Sequence, residues 1–412
     1  MLAVSDAEAI ILNLVQPLDS QQDTEVVDLV AASNRVLASP VTSVLHFPHW
    51  DNSAMDGYAV RYEDVQYCSS ENPAVLEIVE EIPAGYQPKI PIQPGQAARI
   101  LTGAILPQGA DTVVIQEVTR RKDSEVTILT APKPQQFVRY RGSYYQSGTQ
   151  LLPKGIRLTA PEIAVLAAAQ CQKVRVYRFP RVAILSTGDE LVTIEQSLQP
   201  GQIVDSNQYA LAALVRQSAA EPLMLGIVKD EPEDIQKAIA YALANADIVL
   251  SSGGVSVGDY DYVEKILESL GGEIQIRAVG MKPGKPLTVA TFSSPQAHLY
   301  FGLPGNPAAV FVTFWRFVQP VIKKLSGLAE GWEPVFVRAR SLQDLRSNGE
   351  RETYLWGQLF LSHEGVYEFR LAEGSHSSGN LINLAQTNAL AILQVGKTLV
   401  PKGEKVRVLR IN

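Results

Sequence analysis

Val182-Ala-Ile-Leu-Ser-Thr-Gly-Asp-Glu190 and Ile248-Val-Leu-Ser-Ser-Gly-Gly-Val-Ser-Val-Gly258 each run an apolar, strand-like pattern straight into a polar turn that carries glycine. Around them the chain alternates. Leu223-Met-Leu-Gly-Ile-Val228 and Leu299-Tyr-Phe301 read as further strands. Asn207 to Ala219, Pro232 to Ala246, Tyr262 to Leu270 and Ala308 to Leu325 have helical spacing. Strands separated by helices of about 10–15 residues predict βαβ units, a mainly parallel sheet with helices on both faces, over residues 179–326.

Outward from this centre the texture changes. Residues 1–44 read as helical, with Ser5 and Glu8 at capping-box spacing and an apolar stripe at Ala7, Ile10, Ile11, Leu14 and Val15. Residues 45–140 break into short β-rich runs such as Ala74–Val79 and Thr112–Gln116, punctuated by Pro and Gly, as in a small all-β module. Residues 141–178 return to helix and strand, with Thr159 and Glu162 at capping-box spacing. Pairing this segment with 1–44 makes the β module an insertion. Residues 327–412 hold five strand-like runs, a C-terminal β domain.

The 412 residues exceed one compact globule at about 150 per domain. With 46% hydrophobic and 19% charged residues, the chain is not dominated by disorder. A net charge of −7 argues against a surface coated in cations for nucleic acid or anionic lipid, so any anion is bound by a local cluster. Two cysteines, Cys68 and Cys171, cannot build a disulfide scaffold, which points to a reduced, cytoplasmic protein. The first residues lack a basic, signal-like start, and no run of about 18 apolar residues predicts a membrane span. His46 and His49 are spaced H-x-x-H without a third ligand nearby, so no zinc site is expected there.

Ligands of open α/β sheets bind beyond the carboxyl ends of the strands. Ser251, Ser252, Gly253, Gly254, Ser256 and Gly258 combine backbone freedom with hydroxyls and suit a phosphate cradle, although the loop is neither a Walker A nor a G-x-G-x-x-G sequence. The bland alternative is a tight strand-to-helix turn. Asn306 before Pro307 suits a helix start whose free N–H groups attract an anion. Asp189, Glu190, Asp205, Asp230, Asp259 and Asp261 fall near strand ends, where carboxylates facing phosphate call for a cation such as Mg²⁺. Asp230 and Glu233 also have capping-box spacing. Lys282 and Lys285 straddle Pro283-Gly284 and can offset oxyanion charge.

The phrases Asp51–Val60, Arg99–Gly103, Ser186–Leu191, Ser251–Gly258 with Asp261-Tyr262, Lys282–Pro286 and Gly302–Pro307 occur together and in order. In them the chain resembles the molybdopterin molybdenumtransferases, the MoeA family, whose eukaryotic relatives are fused into gephyrin. The resemblance implies a multidomain α/β plus β fold. Residues 1–44 with 141–178 would form a mixed helical linking domain, and 45–140 a β-rich insertion domain. Residues 179–326 would form a three-layer α/β/α (MogA-like) domain, and 327–412 a C-terminal β barrel. It implies insertion of molybdate into adenylylated molybdopterin with release of AMP, assisted by Mg²⁺. It also implies a homodimer whose site joins the α/β domain of one subunit to the insertion of the other, with the molybdopterin adenylyltransferase as a candidate contact. By motif match the catalytic residues are Asp56, Thr102, Glu190, Asp230, Asp261, Lys282 and Lys285, with Glu190 and Asp261 holding the metal. Substrate would meet Ser186, Thr187, Gly188, the Ser251–Gly258 loop, Pro304, Asn306, Arg351 and Ser375. In Gly374-Ser-His-Ser-Ser-Gly-Asn-Leu381 the family's serine-rich spacing changes, which leaves Ser377 or Ser378 as alternatives to Ser375. Two other readings stand beside this one: an adenylyltransferase that activates molybdopterin, and a non-catalytic scaffold of the gephyrin kind.

Overall fold

A computed structural model describes residues 1–253, 260–293 and 298–411, with the side chains of Tyr260 and Asp261 left aside. The chain forms two compact units, Met1–Ser39, Lys154–Ala164 and Gln172–Asn412 in one, Pro40–Pro153 and Val165–Cys171 in the other.

The first unit is built on a six-stranded sheet in the order Glu221–Val228, Arg181–Thr187, Ile248–Ser252, His298–Leu303, Thr288–Phe292 and Glu273–Ile276. The first four are mutually parallel. Thr288–Phe292 runs against both neighbours. Alternate residues of each strand serve opposite faces. Val182, Ile184, Ile248, Leu250 and Phe301 join the helix Asn207–Gln217 and the segment after Pro307 in one core. Ala183, Leu185, Val249 and Tyr300 join the helices Pro232–Asn245 and Tyr260–Ser269 in the other. This is the expected three-layer α/β domain. Ile184, Leu250 and Phe301 are wholly buried, each side chain contributing about 1.5–3 kcal/mol.

Three expectations need correction. The helix over 1–44 stops at Leu14. Thr24–Asp28 is a strand paired with Lys173–Tyr177, as its β-branched and charged alternation allows. Ser5 lies inside the helix Val4–Leu14 and bonds Asp6, while Glu8 is drawn to Arg316, so the capping box does not form. The helix expected over 308–325 is interrupted by a π-helical turn at Phe314–Val318, just ahead of Pro320; a residue lacking an N–H cannot continue the regular ladder. Thr159 does meet Glu162, through its N–H at 2.8 Å and its hydroxyl, at the head of the helix Ala160–Ala168.

Beyond Val335 a closed five-stranded barrel is formed. Glu352–Leu361 pairs with Tyr367–Leu371, then come Val335–Ser341, Lys405–Arg410 and Ala389–Leu393, which returns to Glu352–Leu361. Ala339, Leu355, Phe369, Ala391 and Val408 lie in its core.

The second unit holds a six-stranded sheet in the order Thr112–Ile115, Gly57–Val60, Gln96–Ile100, Ala74–Ile82, Glu125–Ile128 and Thr119–Lys122, with apolar clusters on both faces. Cys68 and Cys171 are free thiols, and burial pushes both up. Among the described residues no helix is long and apolar enough to cross a membrane.

Candidate active site

The strand order reverses beside Arg181–Thr187. The chain leaves it for Glu221–Val228 on one side and returns to Ile248–Ser252 on the other. Such a reversal opens a crevice at the carboxyl ends of the two central strands. There Ser186 Oγ and Ser252 Oγ lie 3.1 Å apart, and Ser251 Oγ meets the Tyr300 phenol at 2.5 Å. All three serines are buried. Each contact uses one hydroxyl as donor and the other as acceptor, so one O–H of each pair remains to donate elsewhere. Burial pushes the Tyr300 phenol up to about 12, so it remains neutral. Thr187 differs: it is 5% exposed, and its Oγ1 lacks a hydrogen-bond partner among the described residues. A buried hydroxyl left this way costs about 1–3 kcal/mol.

Gly253 ends this strand at φ +91°, and a Cβ there would sit 2.1 Å from the Thr187 carbonyl oxygen. Backbone cannot step aside as a side chain does. Gly253→Ala is therefore expected to lower stability by about 2 kcal/mol or more and to reduce turnover at least tenfold. Thermal melts paired with activity assays check this, and a variant as stable as the parent would contradict it. Gly254, Ser256, Gly258 and Asp259 lie outside the described residues.

Asn306 caps the helix Pro307–Thr313, with Pro307 at its first turn, but its side chain makes no capping bond. The Ala308 N–H donates to the Ser378 carbonyl at 3.0 Å. A helix N-terminus expected to be free for an anion is thus partly closed by the barrel's own loop. Asp205, 2% exposed, accepts the Asn207 and Gln208 N–H groups through Oδ1. Asn207 in turn donates to the Gly305 carbonyl at 2.8 Å.

The lysine loop is tied to the barrel. Met281–Lys282 pairs in parallel with Glu352–Thr353, and Arg351 Nη1 donates to the Met281 carbonyl at 3.3 Å. Gly284, at φ +108°, lets the loop turn between its lysines; a Cβ there would lie 2.7 Å from Thr313 Cγ2. Loop and barrel surround a cavity of about 510 Å³. Among the described residues its charged lining is Lys282, Lys285, Arg346 and Arg351, without a carboxylate. Thus four cations converge where the sequence marked three, because Arg346 stands outside every motif phrase. Pro304 and Asn306 also line the cavity, as do Trp356, His376, Ser377 and Ser378. Ser375 does not. Its Oγ accepts the Ser377 N–H at 3.3 Å, and its carbonyl takes Asn380 and Asn383, so it shapes the turn that presents the next serines. The signal for His376 was present inside the quoted serine-rich phrase. For Trp356 there was none beyond an apolar strand.

The acidic residues scatter more widely. Glu190 is exposed, and its carboxylate lies over Gly188, 2.8 Å from where a Cβ would stand. Asp230 accepts the Tyr262 hydroxyl and does not cap the helix at Pro232, whose N-cap is Glu231; the nearby phenol outcompetes the local turn. Asp261 belongs to the first turn of the helix Tyr260–Ser269. Among the described residues no group of three or more His, Cys, Asp or Glu side chains is placed to hold a metal ion. In the second unit, Asp56 Oδ1 accepts the Thr102 N–H at 2.7 Å and the Thr102 hydroxyl at 2.8 Å. The Thr102 N–H, then its hydroxyl, hold the Asp56 carboxyl below the usual range. Residues 46 positions apart are brought into direct contact.

Sheet, barrel and cation-lined cavity define a multidomain α/β protein. Three family models divide the chain: the MoeA N-terminal region (domain I and II) matches residues 2–169, the probable molybdopterin binding domain 183–324, and the MoeA C-terminal region (domain IV) 338–411. A curated molybdopterin molybdenumtransferase of Nostoc sp. is 67% identical, covering 100% of this chain and 94% of that protein. One from Haemophilus influenzae is 34% identical over 100% and 99%. The crystal structure of the molybdopterin biosynthesis moeA protein from Pyrococcus horikoshii OT3 superposes with a TM-score of 0.84 at 28% identity, covering all of both chains. The chain belongs to the molybdopterin molybdenumtransferase family, and it is an enzyme of molybdenum cofactor biosynthesis.

Proposed function

We propose that this enzyme inserts molybdate into adenylylated molybdopterin with release of AMP, with Mg²⁺ as its divalent metal. The observation that carries the reading is the cavity bounded by Lys282, Lys285, Arg346 and Arg351, with no lining carboxylate among the described residues. A dianion such as molybdate loses its hydration on entering such a space, and only fixed positive charge makes that favourable. Lys282 and Lys285 act as compact point charges. The Arg351 guanidinium, tethered to the Met281 carbonyl, keeps its remaining N–H groups for oxygens of the ligand. Ser377 and Ser378 add hydroxyl donors on the same wall.

The crevice beside Thr187 and Gly253 is assigned to the pterin phosphate and nucleotide. Glu190 supplies an exposed, hard anionic oxygen of the kind Mg²⁺ takes, and Asp261 is its assigned companion. When bound, Mg²⁺ neutralises phosphate oxygens at the phosphoanhydride that is cleaved. The ionised Asp56, fixed by Thr102, is assigned to the same reaction by the family's motif.

Incubation with adenylylated molybdopterin, molybdate and Mg²⁺ tests this, scored by AMP and by active cofactor. Absence of AMP release would remove the reading, and consumption of ATP with unmodified molybdopterin would favour an adenylyltransferase. Asp261→Asn is expected to keep the wild-type melting temperature and to abolish AMP release; full activity in that variant would take the metal role from Asp261. We place the enzyme in the cytoplasm as a homodimer, and a monomer mass by sedimentation would overturn the latter.

A further inference from the structure

His376 sits on the wall of the cation-lined cavity, and its ring is fixed on two sides. Nε2 lies 2.9 Å from the Ala372 carbonyl oxygen. A carbonyl only accepts, so Nε2 carries the hydrogen and Nδ1 is left with a lone pair. The ring also stacks on Trp356, centroids 4.5 Å apart and planes tilted by 38°. Trp356 is 1% exposed and is itself anchored, its Nε1 donating to Asn383 Oδ1 at 3.0 Å. A flip that exchanged the two nitrogens would therefore sacrifice the Ala372 bond. Nδ1 is buried and has no hydrogen-bond partner among the described residues. The ring thus keeps an unpaired acceptor within the wall of a cavity whose charged lining residues, among those described, are cations.

We propose that His376 binds the oxyanion together with a proton: when a tetrahedral dianion fills the cavity, Nδ1 becomes protonated and donates to one of its oxygens. The proposal rests on the reading of this cavity as the molybdate site and adds a residue and a proton to it. Without an anion, a proton on Nδ1 is opposed by Lys282 and Lys285 from the loop and by Arg351 and Arg346 from the barrel side, Arg346 being partly offset by Asp344, 3.2 Å from its Nη2. Tyr354, also on the wall, offers no negative charge, since burial pushes its phenol far up, and the Glu352 carboxylate behind it is taken up by the Tyr354 hydroxyl at 2.5 Å. On the histidine's own loop the nearest acid in sequence is Glu373, which is exposed. Burial accordingly holds the imidazole below its ordinary range, against the opposing pull of the Ala372 carbonyl. A bound dianion reverses the local balance, since it brings two negative charges and acceptor oxygens into the cavity that His376 lines. Binding and protonation are then linked: each favours the other by the same factor.

The test titrates the full-length enzyme with sodium molybdate, which is fully deprotonated between pH 6 and 8 at millimolar or lower concentration. Calorimetry in buffers of different ionisation enthalpy counts the protons taken up. Uptake approaching one proton is expected, with affinity rising toward tenfold per pH unit as pH falls across that range. His376→Gln is expected to bind molybdate with no uptake and little pH dependence. ¹⁵N-histidine spectra of the wild type give a second measurement that does not depend on a variant's folding, the Nδ1 resonance moving to its protonated position on adding molybdate. Molybdate binding that Lys285→Ala weakens, but that takes up no proton and leaves the Nδ1 resonance in place, would overturn this inference while the cavity assignment stands. Uptake that persists in His376→Gln would overturn it too. Binding indifferent to Lys282 and Lys285 would remove the cavity assignment and this inference with it.

Discussion

Lys285→Ala should lower kcat/KM for molybdate about a hundredfold while leaving the fold intact. The loop around it is held by backbone contacts that alanine keeps: the Val279 N–H donates to the Lys285 carbonyl at 3.0 Å. Because the side chain is exposed, truncation leaves no void, and stability should change by less than about 0.5 kcal/mol. The loss falls on the anion. Removing one donor or charge from a preorganised oxyanion site typically lowers rate by about 10²–10³, and three cations remain around this cavity, which places the effect at the lower end. Lys285→Arg should recover part of the loss, since it restores charge but not the compact ammonium. Initial rates of AMP release against molybdate concentration measure both variants. A Lys285→Ala enzyme within threefold of the parent would show that this cavity does not hold the oxyanion.

The sheet's parallel half was legible because its strands are short apolar runs leading into polar, glycine-bearing turns, a pattern fixed by burial on two faces. Its antiparallel edge was not. Glu273–Ile276 has four residues and Thr288–Phe292 five. Neither segment carries a turn signal that declares its pairing. Local capping signals failed wherever a distant side chain offered a stronger partner, Arg316 for Glu8 and Tyr262 for Asp230. The Thr159–Glu162 contact formed because nothing competes for it at that exposed helix start. All five barrel strands were visible as apolar runs, but their closure was not, since it depends on Ala389–Leu393 meeting Glu352–Leu361 across a long stretch of chain.

The candidate site divides along the same line. Motif phrases singled out Lys282, Lys285 and Asn306, whose loops are local in sequence, and the structure gathers them on one wall. Arg346, Trp356 and His376 reach that wall only because the barrel strand Glu352–Leu361 pairs with Met281–Lys282, a contact between residues about seventy positions apart that no local pattern announces. At Ser186, Ser251 and Ser252 the local pattern did not announce the cross-strand contacts, since a hydroxyl at the end of a buried parallel strand has its neighbour strand's hydroxyl within reach.

Glu8→Ala should cost about 3 kcal/mol, a large change for a surface-proximal helix residue. Arg316 is 4% exposed, and Glu8 receives both of its terminal nitrogens, through Nη1 at 2.5 Å and Nη2 at 2.8 Å. Burial works against the guanidinium charge, and the Glu8 carboxylate more than offsets it. Without Glu8 the charge stays buried with only the Tyr354 hydroxyl at 3.1 Å and the Phe317 and Phe336 rings beside it. Breaking a buried pair by removing one partner typically costs about 3–5 kcal/mol. The 23% exposure of the Glu8 side chain lets water recover part of that, which sets the lower figure. The double change Glu8→Met with Arg316→Met should cost far less, because it removes the uncompensated charge along with its partner. Tyr354 connects this pair to the cavity wall, bonding Glu352 at 2.5 Å on its other side. The single variant should therefore also raise the KM for molybdate, whereas a purely structural loss would lower the amount of active enzyme at unchanged KM. Urea midpoints of the first unfolding transition, measured for both single changes and the double, give the coupling directly. A Glu8→Ala protein within 1 kcal/mol of the parent would mean that Arg316 finds another counter-charge once Glu8 is gone.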